Sequence, residues 1–224
     1  MHTSWIALLL LFVGDWGNIS PNPSEPIAKL KLSFAKIDEE TYEAHRQQYS
    51  NQLMVDSTIV NEAGGEFSLP VDGEEKTFRC GANHQDCTYY RGFLTPLNQY
   101  VLTHCGTGYC ITYLLDKASG LTTNLPSPYD SECDIPSLSK DQKKLLIFAS
   151  SVFYTESFIA LYERDDKTQK IDFGRYDSYE STDFRIKEII WIDSQSIALK
   201  VFDEYGGTSG GELVNKRYLK ATIN

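Results

Sequence analysis

The chain has 224 residues, with 21 Lys and Arg against 31 Asp and Glu and a formal net charge of −10. That length admits one large domain or two small ones, at roughly 100–200 residues each. Charged residues at 23% and aromatics at 12% favour a folded chain over a disordered one, the composition excludes a low-complexity or collagen-like chain, and the acidic surface repels phosphate backbones, which argues against nucleic-acid binding.

Trp5 to Val13 is an unbroken run of nine apolar residues. A membrane-spanning helix needs about 20, whereas the core of a secretory signal needs only about 7–15. The expectation is a signal peptide over residues 1–20, with a buried N-terminal strand as the alternative. The possible cleavage points after Gly14, Gly17 and Ser20 lack a clean small-x-small pattern. Pro21, Pro23 and Pro26 block helix and sheet bonding, so residues 21–26 read as an extended linker. A single β-rich domain is expected over 27–224. No second apolar run reaches spanning length, so no stable membrane insertion is expected after signal cleavage.

Ala28, Leu30, Leu32 and Phe34 alternate with polar residues, the period of a half-buried strand. Tyr42, His45, Tyr49 and Leu53 then fall at helical spacing, behind the acidic pair Glu39-Glu40 that suits a helix N-terminus. This is the one helix the pattern predicts. His45 reads as the edge of its packed stripe.

From about residue 58 the chain turns β-rich. Three units share a plan of strand, loop, strand, tight turn and strand. The first runs from Tyr100–Thr103 through Cys110–Leu115 to Leu121–Leu125. The second runs from Leu145–Ala149 through Phe158–Tyr162 to Gln169–Phe173. The third runs from Ser196–Phe202 through Glu212–Val214 to Tyr218–Thr222. Segments Ser137–Asp141 and Ile190–Ser194 lead into the second and third. A period of roughly 45–50 residues is the mark of propeller blades, and a succession of hairpins in a sandwich is the other architecture that fits. Either way the fold is mainly β, with propeller-like or sandwich-like antiparallel sheets and one N-terminal helix.

Five cysteines leave an odd one. Cys80, Cys87, Cys105 and Cys110, with His84 or His104 as substitutes, supply ligands of the type that hold zinc, but not at its usual C-x-x-C spacing. An exported chain favours disulfides instead. The glycines between Cys105 and Cys110 let that loop close. Four cysteines allow three pairings; the local one, Cys80–Cys87 with Cys105–Cys110, is the expectation, with Cys133 left over. Neither pair precedes a helix, which weighs against a redox-active thiol. No metal or cofactor is expected.

No complete catalytic signature appears. There is no G-x-S-x-G elbow, and nothing places Cys105 beside His84 or Cys133 beside His104. The acidic residues of the loops have no readable separation of the kind a glycosidase pair needs. Two segments read as contact surfaces. Tyr205, Gly206, Gly207, Thr208, Ser209, Gly210, Gly211 and Glu212 form a glycine-rich loop with no phosphate-loop ending. It reads as a flexible hairpin loop or as a protrusion that enters a partner's groove. Tyr176, Asp177, Tyr179 and Glu180, in the acidic segment ending at Asp183, combine tyrosines with carboxylates and suit a basic protein partner.

The stretch Gln99–Cys110, containing Cys105-Gly106-Thr107, and the following Leu115-Asp116-Lys117-Ala118-Ser119-Gly120 resemble a group of small secreted bacterial β proteins. In that group a Cys-Gly-Thr motif precedes a strand and an Asp-Ala-Lys-Thr-Gly-like turn. Here the second cysteine is displaced by one residue. The resemblance implies an envelope location and a local disulfide. More loosely, the whole plan is similar to periplasmic immunity proteins of type VI secretion, some of them propeller-like. Their implied partners are cell-wall-degrading toxins, blocked by a loop in the active cleft; no inhibitory residue carries across. The function expected is thus a secreted or periplasmic binding protein that neutralises an envelope enzyme, with a protein partner such as a basic toxin or cell-wall hydrolase. The alternatives are a secreted hydrolase built from loop carboxylates and His84 or His104, and a non-catalytic surface interaction module.

Overall fold

The structure, a computed structural model, describes residues 26–56, 66–81, 86–129, 133–151, 153–168, 170–206 and 212–224. The signal and nearly all of the linker expected at the N-terminus lie outside these residues. The alternating segment that predicts one strand makes two, β1 (Ala28–Lys29) and β2 (Leu32–Ile37), which join different sheets. Leu30 between them is buried where the chain steps from one sheet to the next.

Helix α1 (Glu39–Gln48) starts where Asp38 accepts a hydrogen bond from the Thr41 N–H at 2.7 Å. Hydrogen bonding from the Thr41 side chain, and then from its N–H, holds the Asp38 carboxyl below its ordinary range. The apolar stripe predicts helix as far as Leu53, but Tyr49 is already extended. The Asn51 side chain instead accepts from the Leu53 N–H at 3.1 Å, a local bond that competes with helix, and Leu53 enters β3 (Leu53–Met54).

A hairpin follows, β4 (Glu66–Val71) and β5 (Glu74–Arg79). Its two-residue turn places Asp72 and Gly73 at φ 53° and 80°, the left-handed pair that matches strand twist. Next come β6 (Cys87–Leu94), β7 (Gln99–Gly106), β8 (Tyr109–Asp116) and β9 (Thr122–Asn124). These are followed by β10 (Ser137–Leu138), β11 (Lys144–Ser150), β12 (Ser157–Glu163) and β13 (Asp177–Ser181). The chain ends with β14 (Arg185–Trp191), β15 (Ser196–Phe202), β16 (Glu204–Gly206), β17 (Glu212–Val214) and β18 (Arg217–Ile223).

Three main sheets result, in the orders β3-β6-β7-β8-β9, β1-β13-β12-β11-β10 and β14-β15-β18-β2. All their pairings are antiparallel except β1 on β13. The sheets stack face to face. In the central sheet Leu145, Ile147, Phe158, Ala160 and Tyr162 pack on Leu94, Val101 and Leu114 of the first sheet. The alternate residues Leu146, Phe148, Ile159 and Leu161 pack on Ile189, Trp191, Ile197, Leu199 and Val201 of the third. Burial on both faces is why β11 and β12 read as unbroken apolar runs.

The two outer faces are covered by different elements. Phe67, Leu69 and Val71 of the β4–β5 hairpin pack on Tyr100, Leu102 and Leu115. Tyr42 of α1 packs on Ile190, Ala198 and Tyr218. The fold is mainly β with one N-terminal helix, as expected, and of the two architectures it takes the sandwich-like form, an open stack capped at both ends.

One predicted strand is replaced. Of the segment Gln169–Phe173, the described residues 170–173 supply only a bridge from Ile171 to Arg164, and β13 pairs with β12 instead. Turns intervene: the Asp165 carboxylate accepts from the N–H groups of Lys167 and Thr168, and Asp172 accepts from that of Gly174.

Candidate functional site

Several connections meet at one edge of the stack: the β7–β8 turn, the β11–β12 segment, the end of β13 and the start of β16. The β11–β12 segment is shaped by Ser151, whose hydroxyl accepts from the N–H groups of Phe153 at 3.2 Å and Tyr154 at 3.1 Å. The turn sends both rings outward, so that Phe153 is 82% and Tyr154 66% exposed. Arg185 is buried behind them. Its Nε donates to the Tyr154 carbonyl at 2.7 Å, and its guanidinium lies 5.9 Å from the ring centre of Tyr205. Thr155 donates to the Asp203 carbonyl at 3.2 Å. Exposed Phe153, Tyr154 and Tyr205 thereby belong to one braced surface.

Beside this surface lies a groove of about 690 Å³, lined among others by Gly108, Tyr129, Glu156, Ser157 and Glu180. Burial pushes the Tyr129 phenol up to about 12, with the negative charges of Glu156 and Glu180 adding to the shift. Ser157 is buried, and its hydroxyl has no hydrogen-bond partner among the described residues.

The structure sorts the expected contact residues. Tyr205 and Gly206 lie in β16 and Glu212 in β17, paired as a small hairpin, while Gly207, Thr208, Ser209, Gly210 and Gly211 fall outside the described residues. Tyr176 corrects the expectation of a surface contact: it is buried, with its ring 5.4 Å from Tyr162 and 6.4 Å from Phe158. Asp177, Tyr179 and Glu180 lie in β13, not in a loop. Tyr179 packs on Phe34 at 5.4 Å, and Glu180 is the member of this group that reaches the groove. The sequence reading missed Phe153 and Tyr154. Two aromatics in a short connection between wholly apolar strands were the available signal, since core strands leave such rings nowhere to pack but the loop side.

A second cluster occupies a groove of about 590 Å³ between the β4–β5 hairpin and the first sheet. Thr88 and His104 are cross-strand partners on β6 and β7. His104 Nδ1 lies 3.1 Å from the Thr88 hydroxyl and its Nε2 lies 2.9 Å from an Asp86 carboxylate oxygen. Tyr113 borders them, its phenol pushed up to about 12 by burial. His84 falls outside the described residues.

Both disulfides form as expected, Cys80–Cys87 and Cys105–Cys110, and Cys133 is buried outside them. Cys105 pairs in register with Cys87 on one side and Cys110 on the other, so the bridges are neighbours in the first sheet. The four thiols are consumed there and are not free to act as zinc ligands.

Fold and site together define a mainly-β protein of face-stacked antiparallel sheets with a braced aromatic and acidic edge. Comparisons with protein-family models, curated proteins and solved structures return no match.

Proposed function

We propose that the protein is a secreted or periplasmic binding protein that neutralises an envelope enzyme of the cell-wall-degrading kind. The observation that carries this reading is the edge where exposed Phe153, Tyr154 and Tyr205 stand beside Glu156 and Glu180. Rigid aromatic rings bury large area at low entropy cost, and they are the residues that dominate binding energy at interfaces. A net charge of −10 complements a basic partner and speeds its encounter. Two disulfides are compatible with an oxidising compartment. Among the described residues no helix is long and apolar enough to cross a membrane. The likeness of residues 99–120 to small secreted β proteins, and of the plan to periplasmic immunity proteins, points the same way.

The test is to titrate candidate cell-wall hydrolases with the protein and measure complex formation and residual activity. A complex at micromolar concentration is expected. The Phe153→Ala and Tyr154→Ala variants should each weaken it about tenfold or more, the loss typical of an aromatic anchor. No complex with any hydrolase, or a double variant that binds like the wild type, would sink the reading.

The relay Asp86–His104–Thr88 favours a second reading, a hydrolase. A carboxylate orienting an imidazole that contacts a hydroxyl is the arrangement that activates an oxygen nucleophile. Any ester or amide turnover by the protein alone should then fall by about 100-fold or more in His104→Ala. Unchanged turnover in that variant removes the hydrolase.

A further inference from the structure

We propose that the groove on the outer face of the first sheet, floored by Tyr109, Ile111 and Tyr113, binds a neutral saccharide chain. Its residues are not those of the aromatic edge, and binding there requires no turnover by the His104 relay.

Strand pairing puts the lining on one face. The β4–β5 hairpin packs on Tyr100, Leu102 and Leu115. His104 lies two residues after Leu102, and Tyr113 two residues before Leu115, so both point to that same face. Thr88 and Ile111 flank His104 in register, and Asn124 flanks Tyr113. These side chains border the part of the face that the hairpin leaves open, a groove of about 590 Å³. That size lies within the range of about 300–1,000 Å³ for small-ligand sites. Tyr109, Ile111 and Tyr113 follow one another at two-residue steps. At about 3.3 Å per residue the floor therefore runs about 13 Å along β8, a trough for a chain rather than a closed pocket.

The trough offers fixed apolar platforms beside polar groups. The Tyr109 ring rests against Gly106, where a Cβ would lie 2.7 Å from it, so glycine alone gives the ring that place. Braced there, Tyr109 is still 43% exposed, and Ile111 next along the floor is 38% exposed. At the far end, neither the Thr122 hydroxyl nor the Asn124 amide has a hydrogen-bond partner among the described residues. An amide presents donor and acceptor side by side, which matches two adjacent sugar hydroxyls.

Other ligand classes fit this lining worse. The charged groups at the rim are already engaged, Arg79 with Glu66 at 2.9 Å and Asp86 with His104 at 2.9 Å, which disfavours an ionic ligand. A lipid tail would bury Thr122, Asn124 and the Thr88–His104 pair against hydrocarbon, at a desolvation cost. An extended peptide gains affinity by joining a strand edge, but the trough opens on a sheet face, and β7 beneath it is paired on both sides. A sugar ring has an apolar C–H face to lay on Tyr109 and a hydroxyl rim to meet the polar groups, without carrying charge.

The experiment titrates the full chain with cellotriose, maltotriose and triacetylchitotriose, followed by NMR shifts. A blocked triglycine peptide and short-chain lipid micelles serve as comparisons. At least one trisaccharide at millimolar concentration should shift the resonances of Tyr109, Ile111 and Asn124, and neither comparison should. Tyr109→Ala removes the platform and should weaken that binding about tenfold or more, with an unchanged circular dichroism spectrum. Asn124→Ala should weaken it less, and it decides the matter if Tyr109→Ala perturbs the fold. No response to any of the three sugars, an equal response to peptide or lipid, or undiminished binding in both variants overturns the proposal. The site also fails or stands separately from the aromatic edge, because Phe153→Ala and Tyr154→Ala should leave trisaccharide binding unchanged.

Discussion

Trp191→Ala is expected to destabilise the protein by about 3–5 kcal/mol, the range for deleting a large buried aromatic. Trp191 is 1% exposed and among the largest fully buried side chains. It sits in β14, on the face that packs against the central sheet, among Leu146, Ile159, Ile189 and Ile197. Its indole N–H also donates to the Ser137 carbonyl in β10 at 3.3 Å, tying the third sheet to the central one. Alanine would leave a cavity between the two packed sheets. Urea unfolding should show a lower midpoint at an unchanged slope. Trp191→Phe separates the two effects: it retains much of the packing and loses the hydrogen bond, at about 1 kcal/mol for the bond itself. A loss below about 1 kcal/mol in the alanine variant would mean that this interface does not organise the stack.

Removing a disulfide ranks next. The bridges close loops of sequence separation 5 and 7. For loops this short, the entropy removed from the unfolded chain corresponds to about 2 kcal/mol each. Cys105→Ser with Cys110→Ser, and separately Cys80→Ser with Cys87→Ser, should each lower stability by about that amount. The second pair should cost more, because Cys87 is buried and Cys105 and Cys110 are half-exposed, so a hydroxyl at residue 87 adds a desolvation cost. The same framework predicts the labelling pattern. Without reductant, the folded protein should take up no thiol reagent, and Cys133 should react only after unfolding, since it is buried. Labelling of all five cysteines in the unreduced protein would overturn the covalent framework.

Much of the fold was readable because the signals are local. The glycines between Cys105 and Cys110 announced a tight turn, and the chain indeed reverses there between β7 and β8. Glu39-Glu40 behind Asp38 marked the start of α1. The apolar runs 145–149 and 158–162 became strands of nearly those bounds, because fully apolar β-branched and aromatic stretches bounded by turns have few other solutions. What those runs lacked was direction. Complete burial states that both faces are covered, and does not say by what.

The misreadings have the same origin. Ala28 to Phe34 alternates like one strand, yet the chain divides at Leu30 because two different sheets had free edges to fill, on β13 and on β18. Tyr176, beside an acidic run, resembles a surface tyrosine. It is buried because Phe158 and Tyr162 from a neighbouring strand stand opposite it. The expected contact loop and acidic segment were separate stretches of sequence. Arg185 and the β11–β12 connection bring Tyr205 and Glu180 to a common edge, and that connection contributes its own rings.

Composition and local pattern alone therefore determined a mainly-β chain with one helix and an acidic charge balance, and favoured two short-range disulfides without fixing their pairing. These depend on backbone preferences and on residues a few positions apart. Only the tertiary structure decided the order of the layers, the partners of the edge strands, and which tyrosines and carboxylates face one groove. Those depend on contacts between residues far apart in the chain, where a side chain's burial is set by what lies opposite it.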